Sequence, residues 1–331
     1  MSIAVTRQSE TTRRDYATTA RAFIGMVGRV LDQRAPSPVD VVYFFLGQHG
    51  RWSESTIRHT RAALRFAFVE TSRKHPNHPL LVEALQRLNA TDCETGRLVT
   101  PVPCERTKRQ TSAKKRKTLT PAEAHAVLLA LCEVGHRHAA IAQAQVFFGI
   151  DLGLRPVEWE TAQIADGYLV IQNAKNTNDR GNGPTRRLPL DGFGEDYVAS
   201  LAASLDRIAD ALVSETWEAI HQNVARAMIA ASIKAGKTCP SLKTRPVCPY
   251  TLRHVATARM KVDLPPEVIA AILGHRSIHT ASRNYAPARS AKGFRPIVTT
   301  ADPIAVAQVN AFRKDIAKIE SADVHSPKAG L

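Results

Sequence analysis

The sequence has little of what would place a protein in a membrane or outside a cell. No run approaches the roughly 18 consecutive apolar residues that a membrane helix needs. The opening stretch, MSIAVTRQSETTRRDY, lacks the apolar segment of a secretory signal. The five cysteines, Cys93, Cys104, Cys132, Cys239 and Cys248, are scattered and odd in number. That pattern predicts reduced thiols in a cytosolic chain, not a disulfide framework. There is no Walker-type lysine loop and no clustered acidic metal site, so neither ATP nor a metal cofactor is expected. Cys132, His136 and His138 lie close together, but no fourth residue has a spacing that suits zinc. Internal repeats and low-complexity tracts are missing as well.

Negative charge is also in short supply. Forty-five Lys and Arg face 30 Asp and Glu, a formal net charge of +15. Such an excess suits a polyanionic partner, because each neutralised phosphate releases a condensed counterion. Acidic membrane surfaces attract basic proteins too, so charge alone does not decide between the two. With 331 residues, 44% of them hydrophobic, the chain is long enough for about two domains with real cores.

Residues 1–14 read as a tail and 15–91 as a helical domain. VDVVYFFLGQHG (39–50) is an apolar helical run ending at Gly50. The stretch 52–74 opens with Ser53 or Ser55 as a helix cap. In it Ile57, Leu64 and Phe68 share one face, while Arg58, Arg61 and Arg65 form a basic stripe that is either a solvated surface or a phosphate contact. Residues 92–118 read as a linker, rich in proline and in basic residues that include Lys114, Lys115, Arg116 and Lys117. A charge run is usually just solvated; between two folded units it also suits a nucleic-acid backbone.

The second domain is expected over 119–295. Thr120, Pro121 and Glu123 make a capping box at its first helix. AAIAQAQVFFGIDLGLRPVEWETAQI continues as helix with a break near Gly153. Strands are expected at Gly167–Ile171 and Arg186–Leu190, joined by a polar loop, and helices at 193–213, 215–235, 251–262 and 266–273. A tail helix follows within 296–331.

Four segments carry chemistry. In GLRPVE (153–158) a glycine turn sets Arg155 at a helix start, with Glu158 one turn on. Lys175 lies in NAKNTND, ahead of RRLPL (186–190). In PYTLRHVATARM (249–260) Thr251 can cap a helix whose first turn holds Arg253 and His254, where backbone N–H groups favour an anion. In LPPEVIAAILGHRSIHTASRNY (264–285) a helix ends at Gly274, His275 follows, and Thr280 can start a short helix bearing Tyr285. Taken singly, each has a plain structural reading: a surface arginine, a loop lysine, a capped amphipathic helix, a loop histidine.

Together and in this order, the segments resemble the tyrosine recombinase (phage integrase) family. Its pattern is an arginine after Gly-Leu, a hairpin lysine, a His-x-x-Arg helix start, then Leu-Gly-His and a tyrosine. The matches are Arg155, Lys175, Arg253, His275 and Tyr285. Tyr250 stands where the family commonly has a histidine; a phenol can donate a hydrogen bond to phosphate but cannot carry protons as imidazole does. The step from His275 to Tyr285 is one residue longer than the commonest spacing.

The resemblance implies a mainly α fold: a two-domain clamp on DNA, with a helical core-binding domain and an α-rich catalytic domain holding a small antiparallel sheet. It implies site-specific recombination (integration, excision or resolution) through a 3′-phosphotyrosyl link to Tyr285, without metal or ATP. Arg155 and Arg253 would clamp phosphate oxygens, His275 would add a hydrogen bond and Lys175 would protonate the leaving 5′-oxygen. The implied partners are a double-stranded recombination site, further copies of the chain up to a tetramer, and an accessory DNA-bending factor. The implied location is the cytoplasm or nucleoid of a bacterium or phage-infected cell.

In DPIAVAQVNAFRKDIAKIE (302–320) Ala305, Val309, Phe312, Ile316 and Ile319 form a narrow seam, expected either to pack on its own domain or to dock into a neighbouring protomer. Two other readings stay open: a DNA-binding protein of this fold that does not cut, and a type IB topoisomerase or telomere resolvase.

Overall fold

The computed structural model describes residues 10–104, 116–174 and 181–324. Lys114, Lys115 and Lys175 lie outside the described residues. The chain divides into two compact units, Met1–Arg109 and Gln110–Leu331.

The first unit is helical: α1 (Glu10–Val30), α2 (Pro38–Leu46), α3 (Glu54–Lys74) and α4 (Pro79–Leu88). Its core is built on Phe23, Val27, Val42, Phe45, Leu64 and Leu88. Helix α1 begins before residue 15, so the expected tail is shorter than 14 residues. Ser53 is the cap of α3, accepting from the Thr56 N–H at 3.2 Å. Helix α2 stops at Leu46, short of Gly50, where the Gln48 side-chain amide turns back onto the Phe44 carbonyl at 3.0 Å. The first part of the expected linker belongs to this unit. Thr91 pairs with Leu98, the Gly50 N–H bonds to the Val102 carbonyl at 2.9 Å, and the Cys104 N–H to that of Trp52 at 2.8 Å.

The second unit opens with α5 (Pro121–Glu133), whose Thr120–Glu123 capping box is formed, and α6 (Ala139–Leu152). A 3-10 turn, Pro156–Glu160, leads to β1 (Gln163–Ala165), β2 (Tyr168–Gln172) and β3 (Thr185–Pro189), an antiparallel sheet in that order with Leu169 opposite Leu188. β1 was not expected, since its residues read as the end of a helix. Asp166 and Gly167, both at positive φ (51° and 76°), make the two-residue turn that pairs it with β2.

Helices α7 (Glu195–Ser214), α8 (Trp217–Ala235), α9 (Pro240–Thr244), α10 (Pro249–Asp263), α11 (Pro266–Ile272), α12 (His279–Asn284) and α13 (Pro303–Val324) complete the described chain. Helix α10 is buried from Thr251 to Met260, so the unit is built around it. It starts two residues before Thr251: Cys248 is its cap, and the Thr251 hydroxyl bonds back to the Cys248 N–H at 3.2 Å.

Of the seam on α13, Val309 is fully buried against Ala270 and Ala271 of α11, and Arg276 lies 4.3 Å over the Phe312 ring. The Asn182 side-chain amide donates to the Ala305 carbonyl at 2.9 Å. Of the described seam residues, Val309 is therefore covered by this chain's own unit. No helix of the described residues is long and apolar enough to cross a membrane.

Candidate active site

The two glycines of the sequence motifs are fixed by space and dihedral. Gly153 ends α6 in the left-handed region (φ 65°), where a Cβ would press on Leu273, Ala256 and Met260. Gly274 (φ 65°) ends α11, and a Cβ there would lie 2.3 Å from the Asn173 side-chain oxygen. Each turn delivers the next polar residue inward: Arg155 after the first, His275 after the second.

Arg253, on the buried helix α10, has no exposed surface. Its Nε donates to the Tyr285 hydroxyl at 2.9 Å, Nη1 to the Gly153 carbonyl at 2.6 Å, and Nη2 to the Leu273 carbonyl at 2.8 Å. The same Nη2 lies 3.2 Å from His275 Nε2. Beside it, Glu158 is 1% exposed and gathers three guanidiniums: Arg155 at 2.5 Å, Arg186 at 2.7 Å and Arg253 at 3.6 Å. Its Oε2 also accepts the Arg155 backbone N–H at 2.7 Å. Arg186, on β3, donates further to the Ile272 carbonyl at 2.8 Å and to Asn173 Oδ1 at 2.6 Å.

Charge in this cradle does not balance. Among the described residues the three buried arginines share one carboxylate, which leaves a local surplus of two positive charges. Burial works to raise the Glu158 carboxyl, but Arg186, Arg253 and Arg155 outweigh it and hold it well below the usual carboxylate range. Arg253 is lowered to about 10, by burial first and by Arg155 second. His275 is buried and pushed well below its ordinary value by burial, then by Arg253, Arg155 and Arg186. The imidazole is thus neutral near pH 7 and accepts from Arg253 through Nε2. Its Nδ1, the protonated nitrogen, is buried without a hydrogen-bond partner.

Tyr285 follows α12 directly and is 9% exposed. Besides the bond from Arg253, its hydroxyl lies 3.2 Å from that of Tyr250, and the two rings stack with 16° between their planes. The His254 ring packs 5.1 Å away. Burial opposes ionisation of Tyr285, yet Arg253, the Tyr250 hydrogen bond and Arg155 together lower the phenol below its ordinary value. His254 is lowered to about 4 by burial, with Lys117 and Arg253 adding to it.

The fold therefore gathers Arg155, Arg253, His275, Tyr285 and Tyr250 from stretches 130 residues apart. It also brings in three groups that the sequence reading had not assigned to the site: Glu158 as charge hub, Arg186 and His254. Arg186 was legible in principle, because with Leu188 it occupies the inward face of β3.

Two of the expected DNA-contacting residues are corrected. Arg61 is buried, lies 5.8 Å from the Phe45 ring centroid and donates to the Val99 carbonyl. It falls between Ile57 and Leu64 on the core face of α3, so the basic stripe reduces to the exposed pair Arg58 and Arg65. Arg116 is buried too: it pairs with Glu123 and donates to the carbonyls of Thr118 (2.7 Å) and Arg245 (3.0 Å). It anchors α5 to the segment after α9, whereas Lys117 beside it is exposed.

No family model and no curated protein matches the sequence. Among solved structures, the chain is similar to a lambda integrase dimer bound to a core site, at 15% identity and a TM-score of 0.49, over 88% of this chain and 93% of that one. It is similar to the XerH site-specific recombinase bound to difH DNA, at 12% identity and a TM-score of 0.42, over 83% and 75%. It is also similar to the Tn1549 transposon integrase with circular-intermediate DNA, at 15% identity and a TM-score of 0.38, over 84% and 96%.

Proposed function

We propose that this protein is a tyrosine-type DNA strand transferase that acts in site-specific recombination. The observation that carries the proposal is the Tyr285 hydroxyl held 2.9 Å from Nε of a fully buried arginine, inside a cradle with surplus positive charge. A buried cationic surplus is costly unless an anion offsets it. A backbone phosphodiester supplies that anion, and the phenol stands beside the arginine that would receive it.

In the reaction, the Tyr285 oxygen attacks a DNA phosphorus. The new P–O(Tyr) bond replaces the bond to the 5′-oxygen, the phenolic proton passes to water, and the departing 5′-oxygen takes up a proton. Lys175, between β2 and β3, is the proposed donor of that proton. Negative charge gathering on the non-bridging oxygens is met by Arg155, Arg253 and neutral His275. Attack by the 5′-hydroxyl of a partner strand reverses the step, so bond energy stays in the covalent link. Arg58, Arg65 and Lys117, with Lys114 and Lys115, are the proposed phosphate contacts that hold the duplex. The partners are double-stranded DNA and further copies of this chain.

The test uses duplexes selected by binding from a random pool and then nicked at successive positions across the bound footprint. Wild-type protein is expected to form a detergent-resistant adduct whose peptide carries nucleotide on Tyr285. Tyr285→Phe is expected to bind the same duplexes without an adduct. Wild-type binding with no adduct at any nick would overturn the enzyme reading in favour of a DNA-binding protein. Relaxation of supercoils without strand exchange would favour a type IB topoisomerase-like activity.

A further inference from the structure

Tyr250 is the half-exposed member of the site, 38% accessible, and it sits in the first turn of α10 with its hydroxyl 3.2 Å from that of Tyr285. An ordinary surface tyrosine at a helix start would turn its hydroxyl to water. This one lies parallel to the second ring and brings its oxygen to the phenol of the proposed nucleophile. The Tyr285 oxygen already accepts from Arg253 Nε at 2.9 Å, so a second donor completes a two-donor cup around it.

We propose that Tyr250 is a positioning residue that donates its hydroxyl hydrogen to the Tyr285 oxygen and so stabilises the phenolate that attacks phosphorus. This rests on the strand-transfer reading and adds to it: the Tyr250 donor is aimed at the nucleophile, not at the phosphate. In the neutral pair either hydroxyl can donate. Once Tyr285 gives its proton to water, its oxygen can only accept, and both neighbours must then point their hydrogens at it. A hydrogen bond that is stronger to the charged form than to the neutral one favours the charged form.

Tyr250 keeps its own proton meanwhile. Burial, the hydrogen bond and the charge of Tyr285 push its phenol up to about 12. Among the described residues, the other charged or titratable groups facing the pair include Arg253 and Arg155, which favour the phenolate, and the two neutral histidines, His254 and His275; Glu158 lies behind the arginines. Lys261 donates to the backbone carbonyl of Ala286 at 2.9 Å, just past the tyrosine.

The experiment is an ultraviolet titration of tyrosinate absorbance on the full-length protein without DNA. Subtracting the Tyr285→Phe curve from wild type isolates the Tyr285 transition. The same subtraction between Tyr250→Phe and the double variant isolates it without the donor. The expected result is a Tyr285 midpoint below that of a free phenol in wild type, moving up by about one pH unit in Tyr250→Phe, the size of one charge-assisted hydrogen bond. The alkaline dependence of adduct formation should move by the same amount while DNA affinity holds.

A midpoint that stays within about 0.2 units, in a Tyr250→Phe protein that still melts cooperatively, overturns the donor role. If that variant does not fold, Tyr250→Leu gives the same comparison. A shifted midpoint with no DNA adduct from wild type would uphold the tyrosine pair and defeat strand transfer, so the two ideas fail separately.

Discussion

Replacing Glu158 by glutamine keeps the shape of the side chain and removes its charge. The carboxylate is 1% exposed and serves Arg155, Arg186 and Arg253 at 2.5, 2.7 and 3.6 Å. Losing one partner of a buried ion pair leaves uncompensated charge and costs about 3–5 kcal/mol. A domain of this size loses roughly 2–4 °C of melting temperature per kcal/mol, so Glu158→Gln should melt about 6–20 °C below wild type at pH 7. The effect has a pH signature. The folded pKa is depressed, so the stability Glu158 contributes is complete above its unfolded value near about 4.3 and disappears as pH falls towards the folded one. The gap between wild type and Glu158→Gln should therefore close as the buffer is taken below about pH 5. Calorimetry or circular dichroism from pH 7 to pH 3 reads both. Glu54→Gln is the control, since Glu54 faces Arg58 at 3.9 Å with both side chains well exposed, and it should not move the melt. A shift under about 2 °C for Glu158→Gln, or a gap that ignores pH, would refute the charge-hub argument.

Four other outcomes are expected. His275 is buried in its neutral form with a lowered pKa, so its contribution to stability is present above about pH 6.5 and is lost as pH falls; His275→Asn should flatten the melting curve between pH 7 and 5. Gly274→Ala should destabilise the second unit by at least about 1 kcal/mol, through left-handed strain and the Asn173 clash, measured by denaturant unfolding. The double variant Arg58→Ala/Arg65→Ala should reduce the slope of log affinity against log salt by up to about 2, one unit per lost phosphate contact. Val309→Asp should cost about 2 kcal/mol or more in the isolated protein by burying an unpaired carboxylate against α11; an unchanged melt would show that the seam is satisfied elsewhere.

The local signals in the sequence were the ones with short-range physics behind them. Thr120, Pro121 and Glu123 specify a helix start through bonds within four residues, and Ser53 does the same for α3. The apolar spacing of Ile57, Leu64 and Phe68 placed their face inward, and read strictly it also carried Arg61, four residues after Ile57. The Asp166–Gly167 turn was legible too, as a pair of residues that tolerate positive φ, and it would have revealed β1. The motif residues Arg155, Arg253, His275 and Tyr285 could be nominated from their order along the chain. Their shared geometry could not, because it depends on Arg253 reaching two carbonyls on separate helix ends. Glu158 looked like a neighbour of Arg155 and proved to serve three arginines, a role set by tertiary packing over 95 residues of sequence, from Arg253 back to Glu158.

Arg253 spends Nη1 and Nη2 on the carbonyls of Gly153 and Leu273, where α6 and α11 end. Removing it would leave those carbonyls unanswered in the interior, whatever happens to DNA cutting. Under the proposed function, losing this arginine would harm folding and chemistry at once, while losing the Tyr285 hydroxyl would harm mainly chemistry. Loss of strand transfer with the fold intact is therefore expected from Tyr285→Phe and not from a change at Arg253.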